Sequence, residues 1–400
     1  MERMSRTSVL RRIALVVALG LQARHAIAGP RIWTGKEPNG IGWVDIHDEP
    51  GQYTPHPPIS DSWNKSDSSL WIGIASFRDP YCGITIYNLL TKAKYPERMH
   101  IHVIQQNNPE DQDCVQQYCE MAAADGHALC PYKQQLHVVN KDASEARGPV
   151  WARAIQSNLV DDSEFCMQID AHMDFTVNWD RDLFRFWGDT RNEYAVLTTY
   201  VADYGQLDKN INGLWEVPHL CNVVWTKEGH VRNEQAKAAR MLEGPKMTTL
   251  WAAGLSFSKC HAETKVKNDP HLDYIFDGEE FSRAARLWTH GYDFYTPPRT
   301  VIVHNYHRKR LGAWHNDAEE KQKSSDRIFR LLHMENAPEA GPADPPLGEY
   351  DLGPKRTVEQ YIEFSGFDII HRKTIRNTCG HVEYVPWEED VSMKHERLRR

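Results

Sequence analysis

Apolar positions along the chain fall into short runs divided by polar stretches, and the first sustained run is Leu70-Trp71-Ile72-Gly73-Ile74-Ala75-Ser76. It is partly β-branched and ends in the polar Arg78-Asp79-Pro80, the pattern of a buried parallel strand that opens into a functional loop. A helix fits Ile84 to Lys94 and a second strand Met99 to Gln105, so strand, helix and strand form a βαβ unit with its loops on one edge. Ligands bind at the carboxyl ends of such strands. A polar excursion to Gln135 precedes a third strand, Leu136 to Val139, and a helix from Gly148 to Leu159. Phe165-Cys166-Met167-Gln168-Ile169 then reads as a buried strand running straight into Asp170-Ala171-His172-Met173-Asp174-Phe175. Further strands are expected at Tyr194 to Tyr200, Leu250 to Ser258 and Thr300 to His304, with a helix at Glu279 to Thr289. The class predicted is α/β, with one large domain over 69–310.

Outside that domain the pattern changes. Residues 29–68 are rich in Pro, Gly, Ser and Asp without sustained periodicity and read as a stem or lead-in. Asn64-Lys65-Ser66 there is a candidate glycosylation site. Residues 311–400 are expected to hold a charged helix (Asp317 to Met334), a Pro/Ala/Gly linker (Ala337 to Gly348) and a small polar module. Residues 1–28 combine Arg3, Arg6, Arg11 and Arg12 with the apolar run Ile13 to Leu21 and Ala26-Ile27-Ala28, the layout of a cleaved secretory signal. The run is shorter than the ~20 residues that cross a bilayer, which leaves a short anchor as the alternative. An ER or Golgi lumen, or the cell exterior, is therefore the compartment expected.

The formal charge of −8 is mild, and no Lys/Arg block interleaves with aromatics, which excludes a nucleic-acid footprint. Thirteen Trp and sixteen Tyr offer flat amphipathic faces suited to sugar rings, although core packing accounts for most such side chains. The eight Cys permit disulfides in an oxidising lumen, with Cys114, Cys119 and Cys130 expected to bridge first.

Two ionisable groups at the end of a buried strand are costly unless they serve a purpose, and Asp170 and His172 are such a pair. Oxygen with imidazole suits Mn²⁺. Asp174 reads equally as a further ligand, an acceptor behind the ligands or a simple cap. Small residues at Ala252, Ala253 and Gly254 would let a ring lie close to backbone. Asp277 and Glu279, before a helix, are suited to sugar hydroxyls or to capping. Arg78, Arg147 and Arg153 are candidate phosphate forks, and Ser76 and Gln105, at strand ends, candidate uridine contacts.

Several separate stretches resemble one family: Ile74-Ala75-Ser76-Phe77-Arg78-Asp79, Arg147-Gly148-Pro149-Val150-Trp151-Ala152-Arg153, Gln168-Ile169-Asp170-Ala171-His172-Met173, Leu250-Trp251-Ala252-Ala253-Gly254, and Phe276-Asp277-Gly278-Glu279-Glu280 with Arg286-Leu287-Trp288-Thr289-His290-Gly291. Over roughly Trp71 to Arg308 the chain is similar to the polypeptide N-acetylglucosaminyltransferases that act on hydroxyproline, Ser or Thr, and distantly to the mucin-type polypeptide GalNAc-transferases. The resemblance implies a GT-A, Rossmann-like nucleotide-diphospho-sugar transferase domain with a mixed central sheet. It implies UDP-GlcNAc as donor, a divalent cation such as Mn²⁺, a protein acceptor and retention of configuration. It places Asp170 and His172 on the metal, and the spacing from Gly291 makes His304 the third ligand, with His307 and His100 as competitors. Asp277 and Glu280 stand where the GalNAc-transferase pattern has a Gly and an Asn. A cytoplasmic member of the family sets the alternative compartment. A secreted metal-dependent or two-carboxylate glycosidase using Asp170, Asp174 and the 277–280 cluster is the competing enzyme reading, and a non-catalytic carbohydrate-binding protein the third.

Overall fold

The computed structural model describes residues 29–35, 42–46, 56–127, 130–207, 215–309, 311–312, 315–335 and 337–388. The leader at 1–28 lies outside them. The chain runs β1 (Leu70–Phe77), α1 (Cys82–Thr91), β2 (Met99–Asn107), α2 (Cys114–Ala124), β3 (Leu136–Asp142), α3 (Pro149–Ser157), β4 (Phe165–Asp170), β5 (Met173–Phe175), α4 (Trp179–Asp189), β6 (Ala195–Thr198) and β7 (Ala202–Asp203). After an insertion of short strands come β8 (Lys246–Thr248), β9 (Leu255–Lys259), α5 (His261–Lys265), α6 (Glu279–Thr289), β10 (Asp293–Thr296), β11 (Ile302–His304), α7 (Ala318–Leu331) and α8 (Val358–Ser365).

Eight strands make one sheet in the order β8-β10-β6-β9-β4-β1-β2-β3. β1 pairs in parallel with both β2 and β4, and β2 with β3, whereas β9 runs antiparallel between β4 and β6. The α/β architecture with a mixed central sheet expected from the sequence is the one found. β1 and β4 are buried on both faces, as their continuous apolar runs require. A second small sheet, β5-β11-β7, stands at the end of β4.

Two apolar cores flank the sheet. One holds Ile72, Ile74, Phe165, Trp179 and Trp187; the other holds Val196, Trp251, Phe281 and Trp288, together with Ile328, Tyr361, Phe364 and Trp387 from beyond residue 310. Each such ring, fully buried, contributes about 1.5–3 kcal/mol. The residues after 310 pack onto this core: Trp288 stacks on Phe364, and Arg356 reaches Asp293 at 2.9 Å.

Three expectations change. Leu250–Ser258 is not one strand, because only Leu255–Lys259 joins the sheet and Ala252 makes an isolated bridge to Leu255. The lead-in carries strands Arg31–Trp33 and Trp43–Asp45, which join Glu216–His219 and Lys237–Arg240 in a four-stranded sheet. These strands are three or four residues long, too short for a period of two to show. Finally, all eight Cys pair, as Cys82–Cys114, Cys119–Cys130, Cys166–Cys260 and Cys221–Cys379.

Candidate metal and sugar site

Asp170 closes β4, and the chain turns at Ala171 and re-enters as β5. β11 pairs antiparallel with β5 in a register that sets His304 opposite Met173. Backbone pairing thus carries His304 to His172, 132 positions away in sequence, and their Nε2 atoms lie 2.8 Å from each other. His304 Nε2 is 3.5 Å from Asp170 Oδ2. One donor atom from each of the three residues falls within 4.8 Å of the others, and both imidazoles are buried.

Two of the three donors are aimed by a partner. Asp79, in the loop after β1, lies 2.8 Å from His172 Nδ1. An Nδ1–H donating to that carboxylate leaves the His172 Nε2 lone pair facing the other two donors. Arg308 Nε donates to the same Asp79 oxygen at 3.3 Å. Arg153 Nη2 donates to Asp170 Oδ1 at 3.1 Å, which leaves Oδ2 for the cluster, while Nη1 binds Glu279. Burial alone would raise the Asp170 pKa, but the His304 contact and the charges of His172 and Arg153 hold it well below the carboxylate range. Burial lowers the His304 pKa against the pull of Asp170. His304 Nδ1 is buried without a partner. One carboxylate oxygen and two imidazole nitrogens converging on a point fit a divalent cation.

Next to the cluster lies a cradle of backbone. A Cβ added at Gly254 would stand 3.3 Å from Asp170 Oδ2, so only glycine leaves that side open. Gln168 Nε2 donates to the Ala253 carbonyl at 2.7 Å, and Ala252 N–H to Thr198 Oγ1 at 2.9 Å. Glu280, the first residue inside α6 after Glu279, takes Tyr200 OH at 2.7 Å, Asn233 Nδ2 at 3.0 Å and Ala253 N–H at 3.0 Å. Burial pushes its pKa up to about 7 against those donors, and the neighbouring Glu279 adds to the rise. Glu279 itself is raised by burial and drawn down by Arg153.

Other sequence candidates go elsewhere. Asp277 is turned out to Arg232 at 3.4 Å, and the carboxylate that enters the cradle is Glu280. Asp174 is spent on Lys92 at 2.6 Å. Arg78 is clasped by Asp111 through Nε at 2.6 Å and Nη2 at 2.9 Å. Gln105 spans Asp113, Asn140 and the Cys114 N–H, and Arg147 pairs with Asp273 at 3.1 Å. Ser76 is buried at the end of β1. Of the rival histidines, His100 faces Asp161 at 2.5 Å, and His307 is 87% exposed. Sequence reading passed over Asp79 and Tyr200 as site residues and gave Glu280 no role of its own. For Asp79 the signal was present, since it ends the same strand–loop stretch as Arg78.

Among comparisons with known proteins, the family model Glycosyltransferase (GlcNAc) matches residues 69–130 and 119–371. No curated protein matches the chain. Similar solved structures include GalNAc-T7 with UDP, GalNAc and Mn²⁺, at 13% identity and a TM-score of 0.46, covering 74% of this chain and 56% of that one. The chain thus spans little more than half the length of that structure. Another is the mannosyltransferase PcManGT from Pyrobaculum calidifontis in complex with GDP-Man and Mn²⁺, at 12% identity, TM-score 0.41, covering 76% of this chain and 72% of that one. A third is S. aureus TarS 1-349 in complex with UDP-GlcNAc, at 12% identity, TM-score 0.40, covering 68% of each chain.

Proposed function

Since the chain belongs to the Glycosyltransferase (GlcNAc) family, we propose that it transfers GlcNAc, with retention of configuration, from UDP-GlcNAc to a hydroxyl of a protein acceptor, on hydroxyproline, Ser or Thr. The observation that carries this reading is the convergence of Asp170, His172 and His304 beside the glycine-lined cradle. These three residues would hold Mn²⁺ or a similar ion. A bound divalent cation supplies Lewis-acid neutralisation of the leaving diphosphate.

The remaining work is positioning by the chain's own groups. Asp79 holds the His172 ring, and Arg153 divides its guanidinium between Asp170 and Glu279, so the metal side and the sugar side share one rigid strut. In this reading Glu279 accepts a hydrogen bond from a sugar hydroxyl, and Glu280 fixes the Ala253 amide and Tyr200 so that the backbone of 252–254 stays flat against the ring. Ser76 is the better-placed nucleotide contact, because Arg78, Gln105, Arg147 and Arg153 are all engaged by other side chains. The glycosidase reading is less favoured, since Asp174 is tied to Lys92 and Asp277 faces away. Pairing of all eight Cys supports an oxidising compartment such as the ER or Golgi lumen. Among the described residues no helix is long and apolar enough to cross a membrane.

The test is a donor panel: purified protein, nucleotide sugars, Mn²⁺ or chelator, and nucleoside diphosphate release as the readout. UDP release from UDP-GlcNAc that needs the metal and falls at least ~100-fold in Asp170→Ala and His304→Ala is expected. Unchanged release in those variants overturns the assignment.

A further inference from the structure

A small cavity of about 20 Å³ lies between α6 and α7. Glu279, Ser282, Arg283 and Arg286 line it from one face of α6, and Arg327 and Asp269 complete the polar part of its wall. That volume holds one water-sized particle. Three guanidinium groups around so small a space need an account of their charge.

Two of them have one. Arg283 Nη2 meets Glu263 at 2.8 Å, and Arg327 Nε meets Asp269 at 2.7 Å. Glu279, the other acid on the wall, is paired with Arg153. Arg286 has carbonyls and one ring: Nη1 donates to the Lys267 carbonyl at 2.7 Å, Nη2 to the Glu349 carbonyl at 3.3 Å, and Cζ lies 5.8 Å from the Tyr350 ring centroid. No carboxylate of a described residue lies within ion-pair distance of it, although it is 3% exposed. The Nε atoms of both Arg283 and Arg286 are buried with no partner. A desolvated cation with an unspent donor, next to a second unspent donor, is an unstable arrangement unless something accepts from both. Burial accordingly pulls the Arg286 pKa down to about 9.

We propose that this cavity binds a single chloride-sized anion, held by Arg286 and Arg283. A compact acceptor matches the room for about one water-sized particle between the two helices. It has to be negative, because the wall carries one uncompensated positive charge. The site is separate from the metal cluster but not isolated from it. Glu279 lines this cavity and also pairs with Arg153, which in turn holds Asp170. The site stands whether or not the donor is UDP-GlcNAc.

Crystals of the full chain grown in sodium bromide are expected to show an anomalous peak between Arg283 and Arg286. In solution, the melting temperature at fixed ionic strength is expected to be about 2 °C higher in chloride than in gluconate. Arg286→Met is expected to erase that difference while keeping the apolar stem. Absence of the bromide peak, meaning that the cavity holds water, overturns the proposal, and so do equal wild-type melting temperatures in the two salts.

Discussion

At the scale of single residues, the site depends on side chains that touch no other part of the cradle. Asp79 fixes which imidazole nitrogen of His172 is free, and Arg308 holds Asp79 in turn. Asp79→Asn keeps the shape and removes the charge, so Mn²⁺ affinity is expected to fall roughly ten- to a hundred-fold. Electron paramagnetic resonance of unbound Mn²⁺ reads this without turnover, and an affinity within twofold of wild type would contradict it. The Asp-x-His pair was legible because both residues sit within three positions of a strand end. His304 was legible only through a resemblance in spacing. Asp79 was not singled out, since its partner is 93 residues away and no local pattern reports side-chain direction. Glu280 was not preferred to Asp277 for the same reason: Asp277 lies before the Gly278 cap and Glu280 inside the helix, and no local pattern reports which of them faces in.

At the scale of elements, α6 is where geometry becomes pH dependence. Gly278 begins it at φ 93°, and a Cβ there would meet His230 Nδ1 at 2.6 Å, so the start of the helix is pinned. That fixes Glu280 against Tyr200 and the Ala253 amide. Its folded pKa, about 7, lies above its ordinary value of 4.5. The folded protein therefore binds a proton that the unfolded chain has lost, and the stabilisation is complete below pH 4.5 and lost as pH rises through 7. Across that window, unfolding free energy is expected to fall by about 1–3 kcal/mol from this group. Glu280→Gln should flatten the corresponding part of a urea-melt pH series, and an unchanged slope would refute the assignment. Helix α6 was read from the sequence to its first and last residue because its start signal and apolar period coincide. The 250–254 segment was mistaken for strand because an apolar run carries no sign of whether its backbone finds a ladder partner.

At the scale of the whole molecule, the disulfides tie distant parts of the fold. Cys166–Cys260 joins β4 to the end of β9, and Cys221–Cys379 spans a sequence separation of 158. Replacing the latter pair by serine is expected to cost about 2–4 kcal/mol in chemical unfolding, with the loss concentrated around the cluster of Ile32, Val217 and Leu242 that both cysteines join; a variant as stable as wild type would show that packing alone holds the C-terminal segment. Little of this was legible beforehand, because pairing between Cys far apart in sequence leaves no local trace. Composition showed a lead-in and a tail of unremarkable polarity. The stack of His56 on Trp387, with ring centroids 4.0 Å apart, joins them in space. That stack has a consequence for biosynthesis. Residues 358–387 complete the core that also holds Val196 and Trp251, so during synthesis that core keeps its tryptophan surface open to water until they have emerged. Apolar surface exposed in this way is where aggregation competes with folding.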